Sequence, residues 1–165
     1  MGYPPQVLGT TGPAMPFDAS PRAERTEHWQ LARAAHVDLL LMGMPRINLL
    51  LIAPDAVVRY VLKSLLLDLW EPVSHWHRGV SLTLPPASAA GTLILHDVDA
   101  LLPADQRYLV DWLELTHGRT QVVSTTSAPL LPRVEAGEFN ATLFYRLNTV
   151  CVDVTTLAPQ SLQES

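Results

Sequence analysis

Cysteine is almost missing from this chain: Cys151 stands alone among 165 residues, so no disulfide can form within it. A reducing compartment is the expected setting, with the thiol read as a small buried apolar group. Lysine is equally scarce, Lys63 being the single one beside ten arginines, and charged residues make up only 16% of the sequence. Acidic side chains outnumber basic ones and leave a net charge of −5. That balance argues against a broad nucleic-acid or anionic-membrane surface. Long hydrophobic runs are lacking too. The greasiest region, Val37 to Ala53, is broken by Asp38, Pro45, Arg46 and Asn48, short of the roughly 18 apolar residues a spanning helix needs. The start of the chain has no basic stretch followed by an apolar one, so no export signal is read and a cytoplasmic location is expected. What the sequence does have is 48% apolar residues, enough for one hydrophobic core at this size.

Prolines 4, 5, 13, 16 and 21 punctuate the first 21 residues, which read as a flexible arm. Residues 22–158 then form the expected domain and 159–165 a tail. Pro21 to Ala35 is rich in helix formers. Ile47 to Ile52 (INLLLI) reads as a strand buried on both faces, followed by a helix over Ala56 to Trp70. Val58, Val61, Leu62, Leu65 and Leu69 recur there at helical spacing, Asp55 is placed to cap the start, and Glu71-Pro72 ends it. Gly91 to Leu95 (GTLIL) is a second buried strand. Pro103 opens a helix whose Leu109, Trp112, Leu113 and Thr116 share a face before Gly118 stops it. Thr120 to Thr126 gives a third strand, Leu130 to Glu135 and Thr142 to Leu147 short helices, and Thr149 to Val154 a fourth strand. Alternating helices and apolar strands predict an α/β fold: a parallel sheet in three layers, with helices on both faces. In such a sheet ligands bind beyond the carboxyl ends of the strands. The segments to examine are therefore Ala53 to Arg59, His96 to Asp99 and Thr126-Ser127.

The stretches GTLILHDVDALLPADQRYLVDWLE, QVVSTTSAPL and VEAGEFNATLFYRLNTVCVDV resemble the second half of the ATPase domain of sigma-54-dependent transcription activators, the NtrC-like branch of the AAA+ proteins. The likeness covers about two-thirds of the chain, Ile47 to Leu157. Its most specific part is Gly137-Glu138-Phe139 followed by Leu143-Phe144-Tyr145-Arg146-Leu147-Asn148, close to the family's G-x-F-R-x-D-L-[YF]-x-R-L-N. The resemblance implies a P-loop NTPase-like core, and it also states what each strand end needs for hydrolysis. The phosphate loop G-x-x-x-x-G-K-[ST] lets backbone N–H groups and a lysine surround phosphate. Here the corresponding residues are Ala53-Pro54-Asp55-Ala56-Val57-Val58-Arg59-Tyr60, without a glycine and with Arg59 at the lysine position. Lys63-Ser64 lies a helical turn too far on. The family's Asp-Glu pair for Mg²⁺ and water is His96-Asp97, and imidazole suits Mg²⁺ poorly. Its polar sensor falls at Thr126 or Ser127. Of its two arginines near G-x-F, the first is Asn140 and the second is kept as Arg146.

The roughly 35 residues between the phosphate-loop position and the second strand are too few for the insertion that bears the GAFTGA loop, and no helical lid subdomain is expected after Val154. The expectation is a degenerate AAA+-like regulatory domain without ATP hydrolysis, acting through a protein partner, either itself or an active AAA+ relative. Phe139, Phe144 and Arg146 are the expected contact residues. Asp55, Arg59, Asp97 and Thr126 outline a vestigial ATP site. No cofactor is expected; the alternative is a noncanonical ATP binder or slow NTPase using ATP and Mg²⁺. Arg146 reaches a neighbouring subunit on one reading and pairs with Asp97 or Asp153 on the other. His75, His77 and His96 are imidazoles of the kind that hold Zn²⁺, but the first two read as loop and nothing in the sequence joins them to the third, so no metal site is expected.

Overall fold

The structure, a computed structural model, describes residues 47–155 with the exception of residue 68. The expected arm, the helix over Pro21 to Ala35 and the tail lie outside the described residues. Strand β1 (Leu49–Ile52) leads into helix α1 (Asp55–Leu65), then strands β2 (Val73–Trp76) and β3 (Gly91–Leu95) and a 3₁₀ turn at Val98–Ala100. Helix α2 (Pro103–Thr116), strand β4 (Thr120–Thr126), helices α3 (Leu131–Glu135) and α4 (Ala141–Leu147), and strand β5 (Val150–Asp153) complete the order. The five strands form one parallel sheet in the order β2-β3-β4-β1-β5.

Two apolar clusters explain why the central strands are buried on both faces rather than alternating between core and solvent. On one face Leu50, Ile52, Leu93, Leu95 and Val122 pack with Leu109, Trp112 and Leu113 of α2 and with Leu143, Phe144 and Leu147 of α4. On the other, Leu49, Leu51, Ile94 and Val123 pack beneath Val57, Val58, Val61 and Leu62 of α1. Every second residue of a strand feeds the same layer. The parallel α/β sandwich expected from the sequence is the fold observed, and no helix among the described residues is long and apolar enough to cross a membrane.

Polar groups fix the register where the layers meet. Asn48 accepts from the Val122 N–H (2.9 Å) through Oδ1, donates from Nδ2 to the Arg146 carbonyl (2.9 Å), and accepts from the Val150 N–H (3.1 Å) at its own carbonyl. One residue, through its side chain and its own carbonyl, thus joins β4 and β5 to the end of α4 at the start of β1. The connection from β2 to β3 is likewise held against the sheet. Trp76 Nε1 donates to the Val80 carbonyl (2.9 Å), Trp112 Nε1 to that of Pro85 (2.7 Å), and Thr120 Oγ1 to that of Ala89 (3.0 Å).

The structure corrects the sequence reading in four places. Strand β2 occupies residues read as loop; VSHW is half polar because it is an edge strand with its side chains only partly covered. Helix α1 stops at Leu65, ahead of the expected Trp70, and the next two leucines, Leu66 and Leu67, are exposed. Asp55 is the first residue of that helix rather than a cap outside it. Cys151 is exposed, since β5 is the opposite edge of the sheet.

Candidate functional site

At the carboxyl end of β1 the chain passes into α1 through two residues. The Ala53 N–H donates to the Thr126 carbonyl (3.0 Å), extending the ladder to β4. Pro54 then supplies the first carbonyl of the helix, accepting from the N–H groups of both Val57 (2.9 Å) and Val58 (3.0 Å). Val57 is 3% exposed and Val58 8%, both turned into the α1-side core. A phosphate cradle requires consecutive N–H groups aimed outward on a glycine-rich arc; here the turn is a helix start, its amides at Val57 and Val58 are taken, and its side chains fill the core. Asp55 and Arg59 sit on the exposed side of α1, as does Lys63 in its last turn. An aspartate in the first turn favours the positive end of the helix dipole and disfavours a second anion there.

At the end of β3, Asp97 has a left-handed backbone (φ 52°, ψ 55°) and its N–H donates to Thr125 Oγ1 (3.3 Å). This turn aims the chain into the 3₁₀ segment, where the Ala100 N–H donates to the Asp97 carbonyl (2.8 Å). Thr126 is 1% exposed, and its hydroxyl lies 3.2 Å from Asp99 Oδ1 and 3.0 Å from the Ala128 carbonyl. One hydroxyl proton serves both acceptors, so Thr126 is occupied within the protein. Asp99 in turn faces the Arg133 guanidinium (3.6 Å), which also donates to the Asp99 carbonyl (2.6 Å) and pairs with Glu138 (3.4 Å). Asp97 and Thr126 therefore lie at neighbouring strand ends, Asp97 bonded to Thr125 and Thr126 to Asp99, which Arg133 holds in turn. Asp99 is an acceptor in this network.

Phe139 and Phe144 are buried in the α2-side core, 3% and 7% exposed, and so cannot form the contact surface expected of them. Their hydrophobic character carried the resemblance because it builds the fold. Arg146 Nη2 donates to Glu114 Oε1 (2.8 Å), tying α4 to α2; the acid is neither Asp97 nor Asp153. Asn140, at the first arginine position, caps α4: its Oδ1 accepts from the Leu143 N–H (2.9 Å).

The three histidines that the sequence offered but could not join come together at the β2 edge. His75 Nδ1 and His96 Nε2 are 3.1 Å apart, and the rings of His77 and His96 stack with centroids 4.1 Å apart at 12°. His75 stacks on His96 at 5.5 Å. Burial, and then the neighbouring His77 and His75, pull the His96 imidazole down to about 4; His75 is lowered by the same causes, burial first and then His77. Both rings are therefore neutral at neutral pH. Period-two alternation gives His75 and His77 a common face once residues 73–76 are known to be a strand. Without that strand the signal was invisible.

The sigma-54 interaction domain family model matches residues 73–157. Among solved structures, NtrX from Brucella abortus in complex with ADP superposes with a TM-score of 0.55 at 15% identity, over 76% of this chain and 36% of that one. The same protein in complex with ATP gives 0.54 at 16% identity, over 76% and 35%. This chain thus spans about a third of the length of those NtrX chains, and at this identity the likeness is one of fold. No curated protein matches it. The family match over half of the chain, on a five-stranded parallel sheet of the AAA+ P-loop NTPase type, identifies it: the chain belongs to the sigma-54 interaction domain family.

Proposed function

We propose that this chain is a regulatory AAA+-like domain of bacterial transcription control that acts through protein contacts and does not hydrolyse ATP. The observation that supports this most directly is the junction of β1 and α1. Pro54 caps the helix, Val57 and Val58 fill the core, and no glycine arc surrounds the place where phosphates would lie. Around it Arg59 points to solvent, Thr126 is engaged with Asp99 and Ala128, and His96 stands where a hard oxygen ligand for Mg²⁺ would be needed. The competing reading, a noncanonical ATP binder using Arg59, Asp97 and Thr126, must first break the Thr126 network.

The contact surface is drawn from exposed groups on α2 and α4. Tyr108 and Leu115, seven residues apart, share one face of α2, while Tyr145 is exposed on α4 beside the half-exposed Arg146. The partner is a second copy of this chain or an active AAA+ relative. Titration of the full chain with Mg-ATP, followed calorimetrically and by phosphate release, is expected to show neither binding nor turnover. Micromolar Mg-ATP binding, or phosphate release abolished by Arg59→Ala, would refute the proposal. A strictly monomeric protein that also retains no AAA+ relative in affinity capture would remove the protein-contact half.

A further inference from the structure

The three-histidine cluster at the β2–β3 edge is a product of strand parity. In the parallel register His75 lies opposite Ile94 and Trp76 opposite Leu95. The His96 N–H donates to the Trp76 carbonyl (3.0 Å), so the ladder runs one step past β3 and sets His77 beside His96. Ile94 belongs to the core layer under α1, and His96, two residues on, takes the same side of the sheet. Val73, which packs against that layer, fixes the side for His75 and His77 in the same way. All three imidazoles thus project from one face at the carboxyl end of two neighbouring strands.

From this arrangement we infer that His75, His77 and His96 form a binding site for a borderline divalent transition-metal ion of the zinc class. One ring nitrogen from each residue lies within 4.8 Å of the other two. Nitrogens bound at 2.0–2.1 Å around a tetrahedral ion are about 3.4 Å apart, so a closing movement of about 1.4 Å or less completes the set, and the 3.1 Å pair is already there. Imidazole-only ligation selects Zn²⁺, Cu²⁺, Ni²⁺ or Co²⁺ and discriminates against Mg²⁺ and Ca²⁺, which take oxygen ligands. His75 and His77 are exposed and His96 half-buried, an ion entering from solvent and anchored from below. Three protein ligands leave a fourth position open to water or to a donor from another molecule.

The test is calorimetric titration of the metal-stripped full chain with Zn²⁺ at neutral pH, with Mg²⁺ as the control cation. One-to-one Zn²⁺ binding is expected, weakened at least tenfold in His77→Ala, whose side chain is exposed and whose loss leaves the fold intact by circular dichroism. Cys151→Ser, His117→Ala and the double variant His28→Ala/His36→Ala are expected to bind as tightly as the parent. Co²⁺ bound at the same site is expected to give the intense visible absorption of four-coordinate cobalt, lost in His77→Ala. Absence of one-to-one Zn²⁺ binding, its persistence in the double variant His75→Ala/His77→Ala, or equal affinity for Mg²⁺ would each overturn the assignment.

Discussion

Gln106 offers the sharpest test of how the α2-side layer is held. Its side chain is 3% exposed; Nε2 donates to the Leu101 carbonyl (2.9 Å) and Oε1 accepts from the Asn140 N–H (2.7 Å). A single amide thus joins the start of α2 to the segment leaving the 3₁₀ turn and to the cap of α4. Gln106→Leu keeps the volume and removes both bonds, stranding a buried carbonyl and a half-buried N–H. Each stranded group costs about 1–3 kcal/mol, the buried Leu101 carbonyl more than the Asn140 N–H, for a sum of about 3–4 kcal/mol. Added apolar burial offsets roughly 1 kcal/mol, leaving a net loss of about 2–3 kcal/mol. With a urea m-value of about 1–3 kcal/mol/M, the midpoint falls by about 0.7–3 M at unchanged slope. Gln106→Glu separates hydrogen bonding from charge. Burial raises the folded-state pKa of the new carboxyl above its unfolded value, so its penalty is full above that raised value, shrinks as pH falls below it, and is gone once pH is below the unfolded value. The variant's deficit relative to the parent therefore narrows toward acid, whereas the leucine variant's does not. A leucine variant within 0.5 kcal/mol of the parent would refute this account of the layer.

Gly91 begins β3 with φ 142°, and a Cβ there would collide with the Pro72 carbonyl oxygen that accepts the Thr92 N–H at 3.0 Å. Gly91→Ala is expected to lose about 2–5 kcal/mol from backbone strain and overpacking together. Gly79→Ala, at φ 81° with nothing near the added carbon, is expected to lose only about 1–2 kcal/mol; equal urea midpoints for the two would contradict the steric argument. Arg146→Ala removes a pair with Glu114 in which both side chains are substantially exposed, so stability should fall by less than about 1 kcal/mol. If Arg146 belongs to the contact surface, the same variant weakens self-association or relative capture well beyond that; unchanged association with unchanged stability would exclude it.

The central strands were readable from apolar or β-branched runs, and each is buried on two faces. GTLIL and TQVVSTT coincide with β3 and β4 residue for residue, and Leu109, Trp112, Leu113 and Thr116 are the buried face of α2 as their spacing predicts. Edges were harder. The β2 residues Val73–Trp76 carry a polar pattern because solvent reaches them, and a four-residue polar strand leaves no periodic signature. That single omission hid the histidine cluster, whose members are brought together only by a parallel register across a gap from Trp76 to Gly91. The role of Asn140 had a local signal: an Asn three residues ahead of Leu143 at a helix start is a capping pattern. Reading it as a displaced arginine obscured that. Phe139 and Phe144 show the opposite error, since residues that define a family motif were read as contacts when their burial shows them serving the core.

The separation between the sheet's two cores and its carboxyl edge explains how this family's fold can persist with such a different strand-end chemistry. Leu50, Leu93 and Val122 on one side, and Leu51, Ile94 and Val123 on the other, are fully buried and make no demand on the residues beyond the strands. A glycine-rich loop buries no side chain of its own and costs backbone entropy to order. Val57 and Val58 reverse both terms, each contributing about 1.5–3 kcal/mol by burial against α1-side neighbours. Valine at these two positions therefore stabilises the layer that α1 covers. The Thr126 hydroxyl is likewise satisfied within the protein, by Asp99 and Ala128. Reintroducing a nucleotide cradle would consequently have to overcome the valine packing as well as supply glycine and lysine, which is why single substitutions at Arg59 are not expected to create ATP binding.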